Sequence, residues 1–198
     1  MNKPAKSVVI MGIDPGSQIT GVGVIRVTGS ELEYVFCESI KLPKGDLCDR
    51  LKMIYSRLSE VIEAHRPEVV AIEKVFLARN PQSALTLGHA RGAAMLAAVN
   101  SGLPINEYSA TEIKKTVVGR GRADKAQVQH MMRVLLNLRV APPEDAADAL
   151  ACAVCHSQQS RLSIAESSVQ TPAQKQLAEL MKAVKKNKNS HSLRGIKI

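Results

Sequence analysis

The stretch that decides the fold is SVVIMGIDPGS, which runs from Ser7 to Ser17. Its first seven residues have the apolar pattern of a buried strand, and Asp14-Pro15-Gly16-Ser17 then signals a turn. Two more segments with strand character follow at Ile19–Val27 and Glu31–Ile40. Three consecutive strands joined by tight turns predict an antiparallel meander.

The hydrophobic period changes after the meander. Apolar residues from Leu47 to Ile62 recur every three or four positions, which predicts an amphipathic helix that ends near Pro67. A buried strand follows at Val69–Ile72. The remaining segments predict a helix, a strand and three further helices, at about Pro81–Val99, Leu103–Tyr108, Thr111–Val117, Lys125–Leu136 and Pro142–Ser157. A meander followed by parallel strands with helical crossovers predicts an α/β fold, a mixed five-stranded sheet flanked by helices.

Length and composition fit one compact domain with an extension. The chain has 198 residues, and 45% of them are hydrophobic. No apolar run approaches the roughly 20 residues of a membrane-spanning helix. The N-terminal segment lacks the small-residue cleavage site of a secretion signal. We therefore expect a cytoplasmic protein.

The charge is strongly basic and unevenly distributed. The formal net charge is +9, and residues 161–198 hold eight lysines and arginines against two glutamates. We predict a folded domain over residues 1–158 and a basic, disordered tail over residues 159–198. The excess suggests a polyanionic partner, although a solvated tail would equally account for the charge.

The four cysteines indicate reduced thiols. Cys152 and Cys155 precede His156 in the spacing of a haem-attachment motif, but the segment is alanine-rich and helical in pattern. With no second C-x-x-C pair in the sequence, a zinc site is not indicated. Packing in the core is the favoured interpretation.

Acidic residues occupy informative positions. Asp14 and Glu73 each follow a buried strand, and Asp145 and Asp148 share one face of the first turn of the last helix. If the first strand and Val69–Ile72 are parallel neighbours, the four carboxylates can converge. Four negative charges match two Mg²⁺ ions, which could activate water and stabilise the leaving oxygen of a phosphodiester.

Each acid alone also has a simpler interpretation. Asp14 could be a turn residue, Asp145 a helix N-cap and Glu73 a surface acid. The repeated placement of an acid at the end of a buried strand favours a shared site, but spacing alone leaves both interpretations open.

Four motifs resemble those of the RuvC family of Holliday junction resolvases. They are GIDPGS at Gly12–Ser17, AIEKVF at Ala71–Phe76, TVVG at Thr116–Gly119 and DAADAL at Asp145–Leu150, and the match spans about residues 8–157. The resemblance implies an RNase H-like nuclease domain and a homodimer that resolves four-way DNA junctions by two symmetric nicks, in homologous recombination and DNA repair. It also implies junction-binding and branch-migration partner proteins.

The resemblance assigns roles to particular residues. Asp14, Glu73, Asp145 and Asp148 correspond to the four catalytic acids, which would hold two Mg²⁺ ions per subunit, with Mn²⁺ as a possible substitute. Four further residues correspond to DNA-binding positions or lie in the same loop: Phe76, Arg79, Lys114 and Lys125. Phe76 would stack on a base near the cut, and the lysines would lie near the scissile phosphate. Without the resemblance, Phe76 is interpreted as a core residue and the lysines as solvated helix positions.

Three other functions remain open from the residues alone. GIDPGS after a strand also resembles the first phosphate loop of actin-like ATPases, although such enzymes need two lobes. An RNase H-fold nuclease acting on another nucleic acid would use the same acids. A DNA-binding module without activity is disfavoured by the complete acid set. The small residues of Pro81–Val99 suggest close helix packing, mostly in the core, with the N-terminal half as a candidate dimer interface.

Overall fold

The structure, a computed structural model, describes residues 6–74 and 80–169, with only the backbone considered for residues 162–169. Five strands and five helices are present in this part of the chain. In chain order they are β1 (Ser7–Asp14), β2 (Ile19–Thr28), β3 (Glu31–Lys41), α1 (Leu47–His65), β4 (Val69–Glu73), α2 (Pro81–Asn100), β5 (Ile105–Tyr108), α3 (Ala110–Val118), α4 (Lys125–Leu135) and α5 (Glu144–Val169).

The five strands form one sheet in the order β3-β2-β1-β4-β5. β1, β2 and β3 are antiparallel neighbours, whereas β1, β4 and β5 run parallel to one another. The chain passes from β1 to β4 through β2, β3 and α1, and from β4 to β5 through α2. The predicted mixed five-stranded α/β architecture is therefore confirmed.

Helices cover both faces of the sheet because alternate strand residues bury apolar side chains on opposite sides. On one side, Met11 and Ile13 of β1 pack in a cluster with residues of α1 and α2. On the other side, Ile10 of β1 packs with residues of α3, α4 and α5. No helix within residues 6–74 and 80–169 is both long and apolar enough to cross a membrane.

The last helix is longer than the sequence pattern predicted. We expected it to end near Ser157, with a disordered tail from residue 159, but α5 continues to Val169. The physical reason is that residues 158–169 contain no glycine or proline, and the first helix breaker is Pro172. The chain divides into two units, residues 1–158 and 159–198. The prediction for residues 170–198 lies outside the described residues.

The cysteines behave as core and surface thiols. All four are free, and Cys152 and Cys155 are buried on α5. Cys155 Sγ donates to Thr116 Oγ1 at 3.5 Å, and burial raises the pKa of both thiols. The core-packing interpretation of the C-x-x-C-H string is confirmed.

Candidate active site

Two of the acids end neighbouring parallel strands. Asp14 is the last residue of β1 and Glu73 the last residue of β4. Gly12 pairs with Ala71, and the next residues of the two strands pair as well, so Asp14 and Glu73 come next in the same register. Side chains two residues apart in a strand point to the same face of the sheet. Gly12 and Ala71 lie on the face that α5 covers, so the side chains of Asp14 and Glu73 lie on that face as well.

Three glycines give α5 direct access to this side of the sheet. A Cβ at Gly12 would lie 1.9 Å from the carbonyl oxygen of Ala149, and one at Gly21 would lie 2.0 Å from that of Asp145. A Cβ at Gly23 would lie 2.7 Å from Cγ of Leu150. Any side chain here would therefore push the helix away from the strands.

The close approach of α5 brings its first turn to the ends of the strands. Gly21 pairs with Asp14 across β1 and β2, and the backbone of Asp145 lies directly over Gly21. Asp148 follows three residues later on the same helix, with a carboxylate that is only 18% exposed. The glycines thus fix where the two acids of α5 lie relative to Asp14.

The pKa of Asp14 reflects its closeness to the other three acids. Burial, followed by the charges of Glu73, Asp148 and Asp145, raises the pKa of Asp14 from 3.8 to about 7. Burial and the charge of Asp148 also raise the pKa of Glu73. The pKa of Asp148 is raised by its own burial, and the charges of Glu144 and Asp145 add to the effect. The site carries more negative charge than its surroundings neutralise.

Two lysines lie at the edge of the acid site. Lys125, at the start of α4, forms an ion pair with Glu144, and its Nζ lies 4.0 Å from an oxygen of Asp148. The hydrogen bond to Glu144 is the main reason that the pKa of Lys125 is raised. Lys114 of α3 is half-buried, and its charge lowers the pKa of both Glu73 and Asp148. Both predicted lysines therefore lie close enough to interact with the acids.

The donor chemistry of the site fits a hard divalent cation. Carboxylate oxygens are the preferred protein ligands of such ions, and the raised pKa of Asp14 marks charge that a cation would neutralise. Within residues 6–74 and 80–169, no group of three or more His, Cys, Asp or Glu side chains is arranged to hold a metal ion.

The simpler interpretations of the acids fit less well. α5 begins at Glu144, so Asp145 lies inside the helix and not at its N-cap. Glu73 is partly buried and is not a surface acid. His156, which follows the two cysteines of α5, shares a hydrogen bond between its Nδ1 and the Tyr108 hydroxyl at 2.8 Å.

Some site residues were missed by sequence reasoning, and two predicted ones lie outside the described residues. Phe76 and Arg79 are those two, since they fall among residues 75–79. The ion pair of Glu144 with Lys125 was not predicted, because the two residues lie on different helices and are 19 positions apart in the sequence. The signal that could have revealed the glycine-lined face is the spacing of Gly21 and Gly23, which points both residues to one side of β2.

The fold and the acid site define a class of protein. A mixed sheet with acids at the ends of β1 and β4 and in the first turn of α5 describes a nuclease of RNase H-like fold. The family described as Crossover junction endodeoxyribonuclease RuvC matches residues 10–156. The chain belongs to this family, so it is a metal-dependent endonuclease that hydrolyses phosphodiester bonds of DNA and resolves Holliday junctions.

Relatives and solved structures agree with this assignment. The chain is 55% identical to a crossover junction endodeoxyribonuclease RuvC of Alkalilimnicola ehrlichii, with 76% of this chain and 91% of the relative covered. Identity with that of Edwardsiella ictaluri is 56%, over 79% of this chain and 91% of the relative. The structure of Thermus thermophilus RuvC in complex with Holliday junction substrate has a TM-score of 0.74 and 36% identity, and 79% of this chain and 96% of that chain are covered.

Proposed function

We propose that Asp14, Glu73, Asp145 and Asp148 are the catalytic acids with which this protein nicks a Holliday junction, and that they hold two Mg²⁺ ions, which Mn²⁺ can replace. The observation that supports the proposal is the placement of the acids: β1 and β4 end side by side at Asp14 and Glu73, and α5 packs on Gly21 with its first turn at the same strand ends. The raised pKa of Asp14, caused by burial and by the three other carboxylates, is consistent with it. Bound cations would supply an activated water and neutralise the leaving oxygen.

The chain's own residues would orient the DNA around these acids. The two acids at the strand ends are held by the sheet, and the two on α5 are held by helix packing on glycines, so the backbone that carries the four acids would be fixed before a cation binds. Lys114 and Lys125 lie at its edge and carry positive charge toward a phosphate that approaches the acids. Phe76 and Arg79, predicted to contact the opened junction, remain part of the proposal from their motif alone.

We also propose that the protein acts as a homodimer. A four-way junction has approximate two-fold symmetry, and one chain carries one acid site, so two symmetric cuts require two chains. The exposed side of α2 provides a fitting surface: Leu85, Leu96 and Val99 are 55%, 51% and 59% exposed. Gly88 and Gly92 lie between them with open space above. Small residues between exposed apolar ones allow a second copy of α2 to approach closely.

The wider role follows from the same substrate. A resolvase acts on junctions that homologous recombination and DNA repair produce, so junction-binding and branch-migration proteins are the proposed partners. The cytoplasmic location predicted from the sequence stays a prediction.

A cleavage assay tests the proposed roles. Wild-type protein with Mg²⁺ should cut a four-way junction at two symmetric positions and leave linear duplex of matching sequence uncut. Glu73→Gln should abolish cutting and retain junction binding, because the amide cannot replace a carboxylate toward a divalent cation. Glu63→Gln, an exposed acid of α1, is the matched control and should cut normally. Normal cutting by Glu73→Gln would contradict the assignment.

A further inference from the structure

A second basic feature lies beside the acid site. An open cavity of about 460 Å³ is formed by the loop after β1, the end of β3 with the segment that follows it, and Arg50 of α1. Among the residues that the structure describes, its lining includes three cationic side chains, Lys41, Lys44 and Arg50, and no carboxylate. A cavity with this lining is suited to an anion.

The cations of the cavity have no acidic partner among residues 6–74 and 80–169. Arg50 is held in place by one bond, from Nη1 to the carbonyl oxygen of Ser17 at 3.1 Å. Its Nε is buried and has no hydrogen-bond partner within the described residues. Because Nε is closed off from solvent, Arg50 would contribute the positive charge of its guanidinium, and not this donor, to an anion in the cavity.

The cavity lies at the same end of the sheet as the acids. Ser17 follows Asp14 by three residues, and Ile19 pairs with Lys41 where β2 begins and β3 ends. Neighbouring strands are about 4.8 Å apart, and Lys41 lies two residues beyond Ser39, which is level with Asp14 across the sheet, so the end of β3 lies roughly 12 Å from the end of β1. A DNA strand advances about 3.4 Å along its axis per nucleotide, and because its backbone winds around that axis, successive phosphates are farther apart than this rise. The distance therefore corresponds to two or three nucleotides.

We propose that Lys41, Lys44 and Arg50 bind a backbone phosphate of the cut strand, two or three nucleotides from the scissile phosphate. This inference rests on the proposed function, since it places the strand with its scissile phosphate at Asp14. The cavity fixes the strand's position along the protein through a phosphate and reads no base. The cavity binds a phosphodiester group, and it affects the affinity for the junction and the position of the cut strand.

The experiment combines protein variants with a scan of single neutral phosphates. Junctions carrying one methylphosphonate at each position near the cut are bound in Ca²⁺. Wild-type protein should bind about tenfold more weakly when the methylphosphonate lies two or three nucleotides from the cut. The double variant Lys41→Gln/Lys44→Gln should bind the unmodified junction about tenfold more weakly and show a smaller further loss at that position, because only Arg50 remains. For this variant, the slope of the logarithm of the binding constant against the logarithm of the salt concentration should be shallower by about 0.9.

A matched control removes the same charge elsewhere. Lys6→Gln/Lys52→Gln neutralises two exposed lysines outside the cavity and should retain the wild-type response to the methylphosphonate. An equal methylphosphonate effect in wild type and in the cavity variant would overturn the proposal, as would the same loss in the control. Wild-type cleavage in Mg²⁺ tests the proposed function separately, because cutting depends on the acids and the phosphate scan reports on the cavity.

Discussion

Substitution of Gly12 by alanine should displace α5 and separate the acids. The added Cβ would lie 1.9 Å from the carbonyl oxygen of Ala149 and 2.8 Å from the nitrogen of Ala153, and backbone atoms cannot rotate away. Relief of the contact requires α5 to move by about 1 Å. Overpacking of this kind costs about 1–3 kcal/mol of unfolding free energy, and a 1 Å misplacement in a site can cost about 100-fold in rate.

The assay for Gly12→Ala pairs thermal unfolding with single-turnover junction cleavage. A loss of 1–3 kcal/mol should lower the Tm by about 3–10 °C for a domain of this size. Cleavage should slow by about 100-fold below the Tm of the variant, because Asp145 and Asp148 move with the helix.

A second glycine variant separates displacement from simple destabilisation. Gly29 has a φ of 60°, and a Cβ added there would meet nothing within 4 Å, so Gly29→Ala should cost about 1–2 kcal/mol through backbone strain alone. It should cleave at the wild-type rate. If Gly12→Ala unfolds within 1 °C of wild type and cleaves within twofold of it, then α5 does not pack directly on β1 and the reasoning fails.

Three further predictions concern charge. Folded Asp14 holds its proton to about pH 7 and unfolded Asp14 to about pH 4, so without divalent cations the free energy of unfolding should fall as the pH rises between these values. Asp14→Asn should remove this part of the pH dependence, measured by denaturant unfolding at several pH values. An unchanged pH dependence would exclude the raised pKa. Glu144→Gln frees Lys125 to approach Asp148, so half-maximal cleavage should require several-fold more Mg²⁺, whereas Glu63→Gln should not change the titration. Removal of residues 170–198 takes away seven lysines and arginines against one glutamate, and it should weaken linear-duplex binding at low salt and preserve junction cleavage; loss of cleavage would place part of the nuclease domain in that segment.

Much of the fold could be predicted because its signals are local. The apolar strand from Ser7 to Ile13 and the three- and four-residue spacing in Leu47–Ile62 predicted element type and order correctly. The end of α5 was wrong, because a Ser- and Gln-rich sequence weakens the helix signal without breaking it.

The residue types of the candidate site could be predicted from the sequence, but the packing contacts and the ion pair beside it could not. Asp14 and Glu73 are visible because an acid at the end of an apolar strand is unusual. The contact of Gly21 with the backbone of Asp145 depends on how a helix packs on a sheet, and no local pattern reports it. The pairing of Lys125 with Glu144 depends on how α4 and α5 are placed, which becomes known only in three dimensions.

A count of the metal ions bound by the protein shows whether the four acids hold them. Electron paramagnetic resonance of Mn²⁺ titrated into the protein–junction complex should give two tight sites per chain in wild type and fewer in Asp14→Asn and Asp148→Asn, with Glu63→Gln unchanged. Two tight sites that persist in both acid variants would show that these carboxylates do not hold the ions.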